Sequence, residues 1–451
     1  MDKREFLKGS VAAVSAMVLP RFAGGMDMAS SDVPRVNWSG NYHYHTDKVF
    51  QPATVAEVQD AVRSVAKVRA LGTRHSFNGI ADSTVAQIST LGLKDVQLDA
   101  GAKRVRVGGG IKYGDLAVQI DKQGWALHNL ASLPHISVGG GCSTATHGSG
   151  VKNGNLATAV EEIEFVAADG SVHVLSRAKD GDRFAGAVVG LGALGVMTHL
   201  TLAVQPRYEM TQVVYENLPF SELEHHFGDV MGAAYSVSLF TNWQGGAAQQ
   251  VWMKRRVDQG GAAAPAAMFY GATLAKEKLH PVGHGASPEA CTEQGNVVGP
   301  WYERLPHFKM GFTPSSGNEL QTEFFVPFDR GYEAIRAVET LRDQITPHLL
   351  VTELRAIAAD DLWMSMAYKR PSLAIHFTWK PEWDAVLKVV PQIEAKLAPF
   401  ATRPHWAKVF TLQAEQLAGR YPRMNDFKAL AREFDPKGKF ANEYLRTDVF
   451  G

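Results

Sequence analysis

Two glycine-rich turns, each carrying a histidine, constrain this chain more than any other feature. The first is Leu71-Gly72-Thr73-Arg74-His75-Ser76-Phe77-Asn78, and the second is GGGCSTATHGSG, from Gly139 to Gly150. Glycine admits backbone conformations and close approaches that a side chain forbids. A domain containing both turns is therefore built to bring bare backbone against something it grips. Taken alone, His75 reads better as an ordinary turn histidine satisfied by a backbone carbonyl, and only the rest of the chain overturns that reading.

At 451 residues the chain exceeds one typical core, and two domains are expected. With 45% hydrophobic residues, 20% charged residues and 42 glycines, it has the composition of a glycine-rich α+β enzyme rather than of a disordered or fibrous protein. Lys+Arg and Asp+Glu both number 46, which leaves no basic excess for nucleic-acid binding. Two cysteines, Cys142 and Cys291, are too few for a disulfide framework or a thiolate metal site, and no metal is expected. Residues 1–30 read as a targeting segment. Lys3-Arg4-Glu5-Phe6-Leu7-Lys8 precedes the weakly apolar Ser10 to Leu19, which is too short to span a bilayer as a helix. The string resembles a twin-arginine export signal with Lys3 in place of the first arginine. The alternative is a basic N-terminus on a cytoplasmic enzyme.

Pro52 to Val68 has helical spacing, with Thr54 as N-cap. Val68 to Leu71 suits a short buried strand entering the first turn, and Val105 to Val107 a strand ending at Gly108. Tyr113 to Gln123 returns to helical spacing, closed by Gly124. Ile163 to Ala168 and Val172 to Leu175 flank Asp169-Gly170, a hairpin signal, and Val196 to Val204 is β-rich. Short strands with intervening helices fit an α+β domain over 35–205. Strands such as Val213 to Tyr215 and Leu320 to Val326, with a small-residue loop from Gly260 to Ala267, read as a substrate domain over 206–410. The remaining 411–451 contains the turn Phe434 to Phe440, expected to rejoin the first domain.

Gly190-Leu191-Gly192-Ala193-Leu194-Gly195 matches G-x-G-x-x-G. A nicotinamide-dinucleotide site requires a helix opening at this motif and an acid about 20 residues on. Here the motif runs into Val196 to Leu202, which favours strand, and that reading is excluded. The same glycines suit a backbone that lies close against a bound group.

Three polar segments remain. Glu353 and Arg355 stand two apart, on one face if the segment is a strand, and so do His376 and Thr378; Arg403 to Lys408 adds His405 and a lysine. Separately, each has an ordinary explanation. Glu353 and Arg355 could form a surface ion pair worth at most about 1 kcal/mol, His376 could be a core histidine, and Lys408 could be solvated. Together with the glycine turns and the strings LASLPHISVGG, THGSG, AAYSVSLFT, ERLPHFK, FTPSSG, HFTW and RPHWAKVF, they resemble the alditol oxidase (xylitol oxidase) family. That family lies among the vanillyl-alcohol oxidase and sugar-1,4-lactone oxidase flavoproteins, and the likeness covers nearly the whole chain after the leader.

The resemblance implies a PCMH-type FAD-binding fold of two α/β subdomains, with a mixed-sheet cap domain over the substrate. It implies that His75 bonds FAD covalently at the 8α-carbon, and that Ala70, Leu71, Gly72, Thr73, Arg74 and Ser76 wrap the pyrophosphate. Ser132, Ser137, Gly140, Thr144, Ala145, Thr146 and His147 would form the second wall, with Val196 and His405 touching the cofactor. Ser132, Glu353, Arg355, Thr378 and Lys408 would contact a polyol, with His376 beside them; Glu353, Arg355, His376 and Lys408 would form the catalytic group. The chain departs from the family at Arg74, where relatives carry glycine; the arginine is expected to add a phosphate contact. Relatives with a second flavin bond carry a cysteine where Leu133 stands here, so Cys142 is expected to be a small buried residue. The implied activity is oxidation of an alditol's terminal hydroxyl, with O2 reduced to hydrogen peroxide, by a monomer. The rivals are a sugar-1,4-lactone oxidase or dehydrogenase, and a secreted carbohydrate-binding protein with an empty flavin fold.

Overall fold

A computed structural model describes residues 33–312 and 318–451. The leader at 1–30 and most of the string FTPSSG lie outside the described residues. Three sheets of three or more strands organise the described residues. In the smallest, Val49–Phe50 and Arg69–Leu71 each pair in parallel with Gln87–Ser89. Helix Val55–Arg63 covers it, starting where Thr54 and Glu57 form a reciprocal capping box. Its apolar stripe, Val58, Ala61 and Val62, packs with Val68, Ile88 and Val166. The helix is shorter than the apolar spacing from 52 to 68 indicated. Beyond Arg63 the Ser64 hydroxyl bonds the Ala61 carbonyl at 2.8 Å, and the chain bends back toward the strand at Arg69.

The second sheet runs Val96–Asp99, Arg104–Gly108, Val196–Ala203, Val160–Val166, Val172–Ser176, antiparallel throughout. Asp169-Gly170 turns the hairpin, with Gly170 at φ 82° and the Asp169 carboxylate accepting the Ser171 amide at 2.8 Å. Gly190 to Gly195 enters a strand, as the residues after it require.

The third sheet has ten strands. Its centre is the antiparallel series Ser236–Thr241, Leu349–Ile357, Ser372–Trp379, Leu320–Pro327. The period of two along each strand makes two unlike faces. Leu354, Ala356, Ile375, Phe377, Phe324 and Val326 face one side and form a core with Val230, Ile335 and Val390 from helices Phe220–Gly232, Gly331–Glu339 and Trp383–Leu397. The alternate positions, Glu353, Arg355, His376, Thr378, Gln321 and Glu323, are polar, yet all are buried. Burying so many polar groups is unfavourable unless each is paired or serves a ligand. Among the described residues no helix is long and apolar enough to cross a membrane, and Cys142 and Cys291 are buried free thiols.

One buried cation ties these parts together. Arg69, 3% exposed, donates to the carbonyls of Ile80, Leu191, Gly192 and Phe440, and so fastens the Gly190–Gly195 loop and the C-terminal turn to the first sheet. Burial lowers its pKa to about 10, which still leaves it charged at neutral pH. Arg69→Met would strand these carbonyls, and we expect it to lower unfolding stability by about 3 kcal/mol or more. Urea unfolding monitored by tryptophan fluorescence measures this, and an unchanged midpoint would contradict it.

Candidate active site

The two glycine turns face each other across a long cleft. The Ser137 amide donates to Thr73 Oγ1 at 3.1 Å, and a β-carbon on Gly72 would stand 2.4 Å from Ser137 Oγ, so a side chain there would close the gap. The second turn is partly helical: Val138–Ser143 forms a short helix packed backbone to backbone on the end of a strand. The Gly139 amide donates to the Gly109 carbonyl at 2.8 Å, where a β-carbon would collide with the same oxygen. Gly190, Leu191, Gly192, Leu194 and Gly195 line the same cleft, which gives it a third wall of close backbone.

His75 sits in this cleft with its ring stacked on Trp38 at 5.2 Å. Its Nδ1 is buried with no hydrogen-bond partner, so it is not a turn histidine satisfied by a carbonyl. Burial, with His135, Lys408 and Arg74 nearby, lowers its pKa to about 3 and keeps the imidazole neutral. Arg74 adopts φ 65°, a left-handed conformation in which glycine carries no strain. One of its guanidinium nitrogens donates to the Val36 carbonyl at 2.7 Å. Cys142 is wholly buried, its thiol beside the Tyr113 hydroxyl at 3.2 Å and outside the cleft lining.

At one end of the cleft lies the polar face of the large sheet. Register aligns Glu353, His376 and Glu323 in one row across three strands, with Thr378 and Gln321 adjacent in the next. Arg355 stands between the two carboxylates, with Nη2 2.5 Å from Glu323 and Nε 3.6 Å from Glu353, while Nη1 donates to Ser132 Oγ at 3.2 Å. His147 meets Glu323 at 3.1 Å, and His307 meets Glu353 at 2.7 Å. Burial alone would raise both carboxyls, but Arg355 and the histidines override it and hold both well below the usual carboxylate range. Lys408 donates to Gln321 Oε1, and His376 Nε2 donates to the same oxygen at 3.1 Å. Burial lowers Lys408 to about 8 and His376 to about 3, so His376 is neutral.

Ala70, Leu71, Gly72, Thr73, Arg74, His75, Ser76, Ser132, Ser137, Gly140, Thr144, Thr146, His147, Glu353, Arg355, His376, Thr378, His405 and Lys408 all line this single cleft. Ala145 and Val196 do not. Ala145 is fully buried at φ 53°, where it turns the chain toward Thr146, and Val196 packs with Val62 and Ile88. The ordinary readings of the polar segments fail on burial: Glu353 is 4% and Arg355 6% exposed, and His376 opens on the cleft. Sequence reasoning missed Glu323, Gln321, His307 and Lys254. Gln321 and Glu323 carry the same two-apart spacing as Glu353 and Arg355, within a strand that was recognised, and could have been found that way. His147, Glu323 and His405 come within 4.8 Å of one another, a spacing a metal ion would accept. The hydrogen bond from His147 to Glu323, and that from the Ala407 amide to His405 Nδ1, already account for these contacts.

The cleft thus joins a backbone-walled channel, with one neutral unpartnered imidazole, to a buried pocket of fixed hydrogen-bonding groups. Comparison with known proteins fits this form. Residues 46–176 match the family model of the FAD binding domain, and residues 316–448 that of D-arabinono-1,4-lactone oxidase. The chain is 48% identical to an alditol oxidase from Streptomyces sp., over 92% of this chain and 99% of that protein. It is 28% identical to L-gulono-1,4-lactone dehydrogenase from Mycobacterium tuberculosis, over 91% and 97%. The fold is similar to that of cholesterol oxidase from B. sterolicum, with a TM-score of 0.74 at 13% identity, covering 91% of this chain and 95% of that one. The bare glycine walls fit a long dinucleotide held through backbone N–H groups. The chain belongs to the alditol oxidase family of FAD-dependent oxidoreductases.

Proposed function

We propose that this protein oxidises the terminal primary hydroxyl of an alditol such as xylitol or sorbitol: RCH2OH + O2 gives RCHO + H2O2. The chemistry that bound FAD would supply is acceptance of the hydride and passage of the electrons to oxygen. His75 would hold FAD covalently through the 8α-carbon; its neutral ring and unpartnered Nδ1 suit that bond. Ala70 to Ser76 and Ser137 to His147 would wrap the rest of the cofactor.

The observation that carries the reading is the set of Glu353, Arg355, Ser132, Thr378 and Lys408 at the end of the cleft, of which Glu353, Arg355 and Thr378 are buried. A polyol is neutral and needs no charge to attract it. It needs acceptors and donors fixed in position, which this face of the sheet supplies. Glu353 is an anion held in one orientation and accepts substrate hydroxyls; Ser132 and Thr378 can donate and accept. Arg355 and Lys408 set positive charge where negative charge develops, in a site sheltered from water. Of the two candidate proton acceptors, Glu353 is bound on one oxygen and held strongly acidic, which makes it a weak base. His376 is neutral with Nε2–H committed to Gln321, and burial lowers it to about 3, so low basicity does not separate it from Glu353 as the acceptor of the hydroxyl proton. In this reading 35–205 binds FAD, 206–410 caps the substrate and 411–451 returns to the first part. The protein works as a monomer, and the segment at 1–30 exports it folded with its cofactor.

Two outcomes are expected. Wild-type protein precipitated with acid stays yellow, and a tryptic peptide containing His75 carries the flavin mass, whereas His75→Ala releases its FAD. Wild type that loses all its flavin would contradict the covalent bond. Glu353→Gln keeps shape but weakens a charge-assisted bond of about 1.5–3 kcal/mol, and should lower kcat/KM for xylitol about 10- to 150-fold with covalent FAD retained. Unaltered kcat/KM in a peroxide-release assay would remove Glu353 from substrate binding.

A further inference from the structure

Behind Glu353, on the side away from Arg355, lie two buried groups with no assigned part in the reaction. Lys254 lies in strand Ala247–Arg256 and is 1% exposed; His307 lies in the loop after Trp301–Glu303 and is 4% exposed. The Lys254 ammonium donates to the carbonyls of Leu305 and Pro306 and to His307 Nδ1, the last at 3.0 Å. The other ring nitrogen, Nε2, is 2.7 Å from Glu353 Oε1. Phe240 and Trp252 clamp the ring edge-on, with centroids at 5.4 and 5.3 Å. The His307 amide donates to the Ser132 carbonyl at 3.0 Å.

We propose that Lys254 and His307 are positioning residues for the Glu353 carboxylate. Lys254 fixes which nitrogen of His307 carries the proton, and that N–H fixes Glu353 as an oriented anion. The proposal rests on the reading that Glu353 binds substrate. An ammonium is donor only. Three acceptors surround Lys254 Nζ, which burial lowers to about 7; its protonated form supplies three N–H donors, and the Glu353 carboxylate at Nε2 calls for a donor there, so His307 Nδ1 presents its lone pair. A neutral ring then has its proton on Nε2, aimed at Glu353. Burial and the adjacent Lys254 lower His307 to about 4, which keeps the ring neutral. One Glu353 oxygen is thereby occupied, and the carboxylate is set between His307 and Arg355. Through its backbone amide, the same loop also holds the residue that bears the Ser132 hydroxyl, so two substrate contacts share one support. Without Lys254 the proton could move to Nδ1, and a lone pair would then face the carboxylate.

The groups facing Glu353 are His307, Arg355 and His376, with Lys254 and Lys408 farther off. Those facing His307 are Lys254, Glu353 and Arg355. Of these, only His307 and Lys254 are changed in the test. Wild type is screened on xylitol, sorbitol and L-gulono-1,4-lactone with an electron-accepting dye. The screen decides the substrate reading, and the best substrate is used for every variant, so the two ideas fail separately. His307→Leu should lower kcat/KM at least about tenfold. It should also move the acid limb of the kcat/KM profile to higher pH, because a carboxylate deprived of its donor has a higher pKa. His307→Gln, whose Nε2 can occupy the ring Nε2 position, should recover most of the loss and return the limb toward wild type. His307→Asn, with its amide at the Nδ1 position, should not, and this pair carries the test if His307→Leu does not fold. Lys254→Met should shift the limb in the same direction by less. Two results would overturn the proposal. One is a His307→Leu enzyme within about twofold of wild type with an unmoved limb. The other is equal impairment of the Gln and Asn variants with no shift, which would indicate packing alone.

Discussion

The guanidinium of Arg355, set between Glu323 and Glu353 on the floor of the cleft, is the interaction on which the rest of the site depends. A sheet face carrying two carboxylates could not be buried without it. Removing one partner of such a buried set typically costs about 3–5 kcal/mol, because the charges left behind have no water. With Arg355 in place, both carboxylates remain anionic, each also meets a histidine, and the row Glu353–His376–Glu323 becomes a rigid surface of donors and acceptors. Ser132, from the loop preceding the second glycine turn, reaches Arg355 and ties this floor to the channel walls.

The channel itself follows from where the chain lacks side chains. A β-carbon on Gly72 would collide with Ser137 of the opposite turn, one on Gly139 with the Gly109 backbone on which its helix packs, and one on Gly192 would meet the Arg69 guanidinium at 3.0 Å. Closeness of backbone, not any one side chain, makes the groove, and His75 is placed in its side. Arg69 maintains this geometry from beneath by gripping carbonyls from three separate segments.

Much of this is legible in the sequence, for identifiable reasons. Period-two spacing gives away Glu353 with Arg355 and His376 with Thr378, because two polar residues two apart in an apolar strand share a face. Glycine clusters mark the groove, and the strand-forming run after Gly195 excludes a nicotinamide site. Other features depend on long-range pairing that no local pattern carries. Lys254 and His307 are 53 positions apart and meet only through the folding of a loop over a strand. The two-apart spacing of Gln321 and Glu323 is visible in the sequence, but that Gln321 holds both His376 and Lys408 emerges only with the register. The early end of the first helix, and the short helix inside the second glycine turn, reflect tertiary packing that overrides local spacing.

The central claim is that the buried row at the cleft floor is shaped for an open-chain polyol. The most direct test is the rate of flavin bleaching when the oxygen-free enzyme is mixed in a stopped-flow instrument with xylitol, sorbitol or L-gulono-1,4-lactone. The account predicts rapid, saturable bleaching by the alditols and slower bleaching by the lactone. Faster bleaching by the lactone, or none by either alditol, would contradict it.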